Sequence, residues 1–152
     1  MSRRATAAIL VLSVCLCAPI VGPTQADSTQ TTKAAIQKVL DDQVTAWNKG
    51  DLKEFMAGYW NSPELSFFSG KDPKRGWEAT YKRYRERYQA EGQEMGKLSF
   101  SDLQIEPLGA TSAYVRGRWK LVTGKETLGG LFTLIVKKLP EGWRIVHDHT
   151  SA

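Results

Sequence analysis

The sequence is poor in cysteine and histidine, with two residues of each among its 152. Both cysteines, Cys15 and Cys17, lie near the N-terminus, so the rest of the chain has no thiol for a disulfide or a cysteine nucleophile. Neither sign of charge dominates, because 21 lysines and arginines and 16 acidic residues leave a net charge of only +5. Glycine-rich phosphate loops, nucleophile elbows and zinc-protease helices are missing as motifs. These absences argue against a disulfide scaffold and a nucleic-acid-binding protein.

The N-terminal 26 residues have the pattern of a secretory signal peptide. A short basic start is followed by the apolar run Ala7–Val14, and cleavage is expected after Ala26. A membrane anchor is the alternative, but that run is shorter than the roughly 20 residues a spanning helix needs. A lipid anchor at either cysteine is a second alternative, against which stand the bulky residues Val14 and Leu16. We therefore expect a secreted or periplasmic protein with no membrane attachment, whose charge falls to +3 once Arg3 and Arg4 are removed.

The remaining chain predicts one domain over residues 32–151, preceded by a disordered lead-in over residues 27–31. Apolar residues recur at helical spacing between Ile36 and Trp47, and Gly50 ends that helix. Asp51 then caps a second helix, and a third follows Pro73. A short strand is expected between the second and third helices, at residues 64–69.

The C-terminal half alternates as strands do, over residues 98–106, 112–123, 127–139 and 142–150. A change of apolar phase at Ser101 and Asp102 predicts a β-bulge. Three helices followed by an antiparallel meander indicate an α+β fold with helices on one face of a curved sheet.

Two segments resemble a known family. Trp47-Asn48-Lys49-Gly50-Asp51 is similar to the junction of the first two helices in SnoaL-like and DUF4440 proteins, which share the cone-shaped fold of nuclear transport factor 2. Residues 142–151, read as GWRIVHDHTS, are similar to their last strand and to the end of the association domain of calcium/calmodulin-dependent kinase II. The resemblance implies a conical pocket closed by three helices and a homodimer formed through the outer sheet face. Ala113, Val115, Trp119, Phe132, Leu134 and Val136 are the apolar set expected on that outer face.

Arg116 and Arg118 would then face the pocket, because they alternate with Val115 and Trp119 on one strand. Arg116 also matches a pocket arginine of the kinase association domain. A guanidinium there would bind a carboxylate or similar anion. The alternative is a structural ion pair with Asp102, Glu126 or Asp148.

His147 and His149 are two residues apart and so share one face of the last strand. They are candidates for ligand binding or for acid–base catalysis. A metal site would need a third ligand, and no carboxylate shares their face, so we expect neither a metal nor another cofactor.

Aromatic residues near the expected pocket opening complete the candidate site. Tyr59 and Trp60 end the second helix, and Tyr81 lies on the third, so all three are candidate ligand contacts. The resemblance also allows a comparison with ketosteroid isomerase, which needs a carboxylate base and a tyrosine donor. The corresponding positions here are about Phe67 and Gln43, so that chemistry is not expected.

We therefore expect an exported domain that binds a small anionic or aromatic ligand in its cone. Two alternatives are an isomerase, dehydratase or hydrolase that uses a histidine, and a dimerisation scaffold with a vestigial pocket. The sequence does not determine which face of the last strand points into the cone. If the histidines point inward, they join Arg116 at one ligand. If Asp148 points inward, it forms a buried ion pair with Arg116.

Overall fold

The computed structural model describes residues 25–71 and 73–151, so the predicted signal segment lies almost wholly outside the described residues and stays a prediction. Three helices precede or interrupt the first strands, and four long strands follow. The elements are α1 Gln25–Asn48, α2 Leu52–Met56, β1 Ser66–Ser69, β2 Lys74–Arg75, α3 Trp77–Tyr88, β3 Lys97–Pro107, β4 Ser112–Val122, β5 Thr127–Leu139 and β6 Gly142–Thr150.

The strands form one mixed sheet in the order β2-β1-β6-β5-β4-β3. The meander from β3 to β6 is antiparallel as predicted, whereas β1 pairs with β6 in parallel. The predicted α+β fold is therefore confirmed, with the unpredicted two-residue strand β2 at one edge. None of the described helices is long and apolar enough to span a membrane.

Helix α1 begins earlier than the sequence indicated. Residues 27–31, expected as a disordered lead-in, are helical, and the Thr31 hydroxyl donates to the Asp27 carbonyl at 2.8 Å. The predicted apolar face holds over the rest of the helix, because Ile36, Leu40 and Trp47 are buried. Burying this stripe fixes α1 against the sheet, where it forms one wall of the interior.

The segment from Trp47 to Asp51 joins α1 both to β3 and to α2. The Trp47 indole donates to the Met95 carbonyl at 2.8 Å. The Asn48 side chain both accepts from the Leu98 amide and donates to its carbonyl, at 2.8 and 3.0 Å. Gly50 has a φ of 80°, a conformation that glycine adopts without strain, and the Asp51 carboxylate caps α2 by accepting from the Glu54 amide. This short motif therefore sets the angle between the two helices and the sheet.

Two β-bulges decide which side chains face the helices. The first lies in β3 between Ser101 and Gln104, as predicted, and Asp102 there has a φ of 53°. The second was not predicted and lies in β6. Ile135 pairs with His147 and Val136 pairs with Ile145, so Val146 has no opposite residue. The extra residue shifts the side-chain alternation of β6 by one position.

That shift decides the orientation of the last strand. Trp143 and Ile145 point into the core before the bulge, and Asp148 points inward after it, with exposed fractions of 7%, 1% and 4%. His147 and His149 consequently lie on the outer face. An unbroken alternation would have placed Trp143 and Ile145 on the same face as the histidines, and the bulge separates them.

Candidate functional site

The helices and the inner sheet face enclose a cavity of about 110 Å³. A dry cavity of about 150 Å³ holds a single benzene ring, so a ring bound here would extend from this smaller volume into the opening. Most of the wall is aromatic or aliphatic. The aromatic side chains that line it are Trp47, Phe55, Tyr59, Phe67, Tyr84, Tyr88, Phe100, Trp119 and Phe132.

Burial shows which end of the cavity is closed. Phe55, Tyr59, Ile145 and Asp148 are almost fully buried at one end. At the other end the lining includes the half-buried Tyr88 and Trp119 and the exposed Arg87. We call these the inner end and the mouth of the cavity.

Asp148 is the only carboxylate that lines the cavity among the described residues. The Tyr59 hydroxyl donates to Oδ2 at 2.7 Å, and the Thr150 hydroxyl donates to Oδ1 at 2.6 Å. Each carboxylate oxygen can accept about two hydrogen bonds, so acceptor capacity remains on both. The carboxylate can therefore also accept a hydrogen bond from a molecule in the cavity.

Burial raises the pKa of the Asp148 carboxyl from its ordinary 3.8 to about 6. The hydrogen bonds from Thr150 and Tyr59, and the charge of His149, act in the opposite direction and are outweighed. A carboxyl with this pKa is mainly ionised near pH 7 yet takes up a proton in mild acid. The inner end thus holds a group that can exchange a proton with a bound molecule.

Two tyrosines extend this polar centre toward α3. Burial, together with the charge of Asp148, raises the pKa of both Tyr59 and Tyr84. Both phenols therefore stay neutral at physiological pH and keep their protons for hydrogen bonding. Tyr84 also packs edge-on against Phe67, with ring centroids 5.6 Å apart, which holds it at the cavity wall.

Two arginines of α3 lie at the mouth. The Arg83 guanidinium is half-buried, donates to the Ser69 carbonyl at 3.4 Å and lies 5.9 Å from the Phe67 ring centroid. The Arg87 guanidinium lies 5.5 Å from the Tyr88 ring centroid. Neither forms an ion pair within the described part of the chain. The mouth is therefore positively charged, whereas the inner end is acidic.

Arg116 and Arg118 lie on the opposite side of the sheet from the cavity. Both are exposed, and the Arg118 guanidinium pairs with the Asp102 carboxylate at 3.1 Å. The prediction that they face the pocket is wrong, because the cavity is lined by Trp119 and Leu121 of the same strand. The apolar set expected at a dimer interface, including Val115 and Leu134, is instead the core.

The histidines also lie on the outer face. The His147 Nδ1 and the Ser66 Oγ are hydrogen-bonded at 2.7 Å, and Phe68 packs edge-on against both imidazoles. Partial burial and the neighbouring His149 lower the pKa of His147. Within residues 25–71 and 73–151 no group of three or more metal-ligating side chains converges. The histidines therefore cannot join Arg116 at a ligand in the cavity.

Of the three predicted aromatic contacts, Tyr59 lines the cavity and contacts Asp148. Trp60 is outside it and pairs through its backbone amide with the Ile145 carbonyl. Tyr81 is also outside and packs on Trp77 at a centroid distance of 5.0 Å. Gln43 and Phe67, the positions compared with ketosteroid isomerase, do line the cavity, and Gln43 donates to the Phe55 carbonyl at 3.1 Å.

The sequence reasoning missed Arg83, Arg87 and Tyr84 as cavity residues. A spacing of four places Arg83 and Arg87 on one face of α3, and the same spacing relates Tyr84 and Tyr88. This pairing of a basic and an aromatic stripe on one helix is the sequence signal that could have indicated them.

Comparison with known proteins agrees with this architecture. The SnoaL-like domain family matches residues 36–152. A nuclear transport factor 2-like protein of unknown function from Shewanella oneidensis is 36% identical, with a TM-score of 0.75. The aligned region covers 80% of this chain and 99% of the Shewanella protein.

Two further structures share the fold at lower identity. A nuclear transport factor 2-like superfamily protein from Salmonella enterica is 22% identical, with a TM-score of 0.65 and coverage of 81% and 92%. A protein from Thiobacillus denitrificans, named for the calcium/calmodulin-dependent protein kinase type II association domain, is 22% identical, with a TM-score of 0.62 and coverage of 76% and 92%. No curated protein matches the chain. The chain belongs to the SnoaL-like domain family, within the nuclear transport factor 2-like superfamily.

Proposed function

We propose that this protein binds a small aromatic molecule in its cavity. The observation that carries the proposal is the combination of an aromatic wall with one buried carboxylate and a basic mouth. Small-molecule sites are typically concave and apolar with a few placed polar groups. A ring enclosed by Phe55, Phe67 and Tyr84 would gain both apolar burial and edge-to-face contacts.

The basic mouth favours ligands that also carry an acidic group. An acid at this end would lie near the Arg83 guanidinium, which is half-buried and already fixed by the Ser69 carbonyl. Because the site is open to water, this contact is expected to contribute only a few-fold in affinity. The anionic ligand expected from the sequence is thus retained, with Arg83 in place of Arg116.

The indole N–H signals of Trp47 and Trp119 provide a direct test, since both side chains line the cavity. Indole and benzoate should both shift these two signals in ¹H–¹⁵N spectra and leave that of Trp60 in place. Arg83→Gln should weaken benzoate binding about threefold without affecting indole. The matched control is Arg85→Gln, which removes the same charge from the same helix outside the cavity. If neither probe moves the Trp47 and Trp119 signals at millimolar concentration, the proposal fails.

A second candidate function is proton-transfer catalysis by Asp148. It is favoured by the position of this ionisable carboxyl on the cavity wall, and it replaces the histidine chemistry considered from the sequence. Incubation in D₂O with a ring-bearing ketone such as phenylacetone would report it, because the C–H signal next to the carbonyl would be lost with the wild-type protein and retained with Asp148→Asn.

We also propose a homodimer formed through the outer sheet face. Phe68 and Leu131 are 43% and 52% exposed there. The half-buried Tyr114 and Ile135 pair with each other on the same face, in the row next to that of Phe68. Exposed apolar side chains on one face of a monomer are characteristic of an interface. The residues that support the dimer are therefore different from those predicted from the sequence.

A further inference from the structure

The inner end of the cavity holds a buried negative charge that has no positive partner. Asp148 is 4% exposed, and none of the ion pairs among the described residues includes it. Its two hydrogen bonds come from the neutral hydroxyls of Tyr59 and Thr150. Burying a carboxylate is costly unless an opposite charge and further hydrogen bonds compensate it. The free protein leaves that compensation incomplete.

The surroundings of Asp148 suit a cation. Phe67, Tyr59 and Tyr84 line the cavity together with Asp148. The Tyr59 hydroxyl donates to Asp148, Phe67 is its neighbour in the sheet, and Tyr84 packs on Phe67. Aromatic rings attract a positive charge placed over their faces, and this attraction strengthens where water is excluded. A carboxylate with spare acceptor capacity beside several rings is the chemical arrangement that recognises an ammonium group.

The two arginines do not fill this role. They lie at the mouth, where Arg83 contacts Phe67 and Ser69 and Arg87 contacts Tyr88. Neither guanidinium forms an ion pair with the Asp148 carboxylate, although the two residues that Arg83 contacts lie opposite Asp148 and Thr150 in the sheet.

We infer that the ligand carries a protonated amine, attached to its aromatic ring directly or through one carbon, which pairs with the Asp148 carboxylate. This inference rests on the proposed function and specifies the chemical class of its ligand. The amine donates to the free lone pairs of Asp148 while the ring occupies the aromatic cavity. An acidic substituent on the same ligand would point toward Arg83, so aromatic molecules with an amine at one end and an acid at the other fit both ends.

The test compares three probes that share one ring, namely benzylamine, benzyl alcohol and toluene, and follows the Trp47 and Trp119 indole signals at pH 7.5. Benzylamine should bind at least tenfold more tightly than toluene, because a hydrogen bond to a charged group contributes a factor of about ten or more. Asp148→Asn should remove that advantage and leave toluene binding unchanged. Asp102→Asn, which removes a carboxylate from the outer face, should leave all three affinities unchanged.

A pH series on the wild-type protein keeps the inference testable if Asp148→Asn does not fold. Benzylamine stays protonated between pH 5 and 7.5, whereas Asp148 takes up a proton over that range, so benzylamine binding should weaken toward pH 5 and toluene binding should not. The other ionisable groups around Asp148 are Tyr59 and Tyr84, which stay neutral, and His149, which lies behind it on the outer face.

The outcomes separate the two proposals. Toluene binding without any preference for benzylamine would overturn the amine inference and leave the aromatic-ligand proposal standing. An equal preference for benzylamine in the wild type and in Asp148→Asn would also overturn it. Absence of any signal change with all three probes would overturn both.

Discussion

At the scale of single residues, Asp148 is a buried carboxylate that costs folding stability and lies on the cavity wall. Its carboxyl is buried, accepts two hydrogen bonds and has a pKa raised to about 6. Because the folded state holds the proton more tightly than the unfolded state, the protonated form stabilises the fold. That contribution is fully present below the unfolded pKa of 3.8 and is lost as the pH rises through about 6.

Asp148→Asn should therefore gain stability relative to the wild type as the pH rises. Asparagine keeps an acceptor for one of the two hydroxyls but carries no charge. Urea unfolding should show the difference in free energy of unfolding, variant minus wild type, increasing by about 2 kcal/mol between pH 4 and pH 7.5. Asp102→Asn is the control and should show no comparable increase. A difference that is constant with pH would contradict the raised pKa.

At the scale of elements, the junction of α1 and α2 holds the cavity wall in position. The Asn48 amide makes two hydrogen bonds with the backbone of Leu98 and so attaches the end of α1 to β3. Trp47, the residue before it, lines the cavity and packs edge-on against Phe55 at a centroid distance of 4.9 Å. The contacts of Trp47, Asn48 and Asp51, with the positive φ of Gly50, thus explain four of the five residues of the motif.

Asn48→Asp should lower the free energy of unfolding by about 1–3 kcal/mol, because a carboxylate would face the Leu98 carbonyl oxygen and could no longer donate. Denaturant melts at pH 7 measure this. Lys49→Ala, at the exposed neighbouring position, should stay within about 0.5 kcal/mol of the wild type. If Asn48→Asp is as stable as Lys49→Ala, the two hydrogen bonds do not contribute as described.

At the scale of the whole molecule, the two faces of the sheet have separate tasks. The inner face supplies the cavity through Leu121, Phe132, Leu134 and Asp148. The outer face carries the two histidines, the exposed Phe68 and Leu131, and the arginines of β4. A C2 dimer formed through the outer face would leave the cavity and its mouth beside α3 accessible.

Leu131→Asp should convert the proposed dimer to a monomer, because it replaces an exposed apolar side chain of the outer face with a charge in both copies. Sedimentation velocity at micromolar concentration distinguishes the two states. Leu108→Asp is the matched control, since Leu108 is 60% exposed in the turn after β3, away from that face, and the variant should stay dimeric. A monomeric wild type, or a dimeric Leu131→Asp variant, would exclude this interface.

The sequence by itself determined the elements and the fold. Helical spacing in α1, the Asp51 cap and the alternation of the strands are local properties, and they predicted nearly every element together with the bulge in β3. Residues 47–51 and 142–151 also indicated the correct family.

Only the tertiary structure decided which side chains meet. The alternation of a strand predicts that Arg116 and Val115 point to opposite faces of the sheet, as do His147 and Asp148. It does not say which of the two faces lies against the helices. The unpredicted bulge at Val146 then reversed the phase of β6, so Trp143 and Asp148 could both point inward. Arg83 was missed for a related reason, since its role depends on the position of α3 over the open end of the sheet. Local pattern fixes relative orientation within one element, whereas the identity of the cavity wall depends on the packing of distant elements.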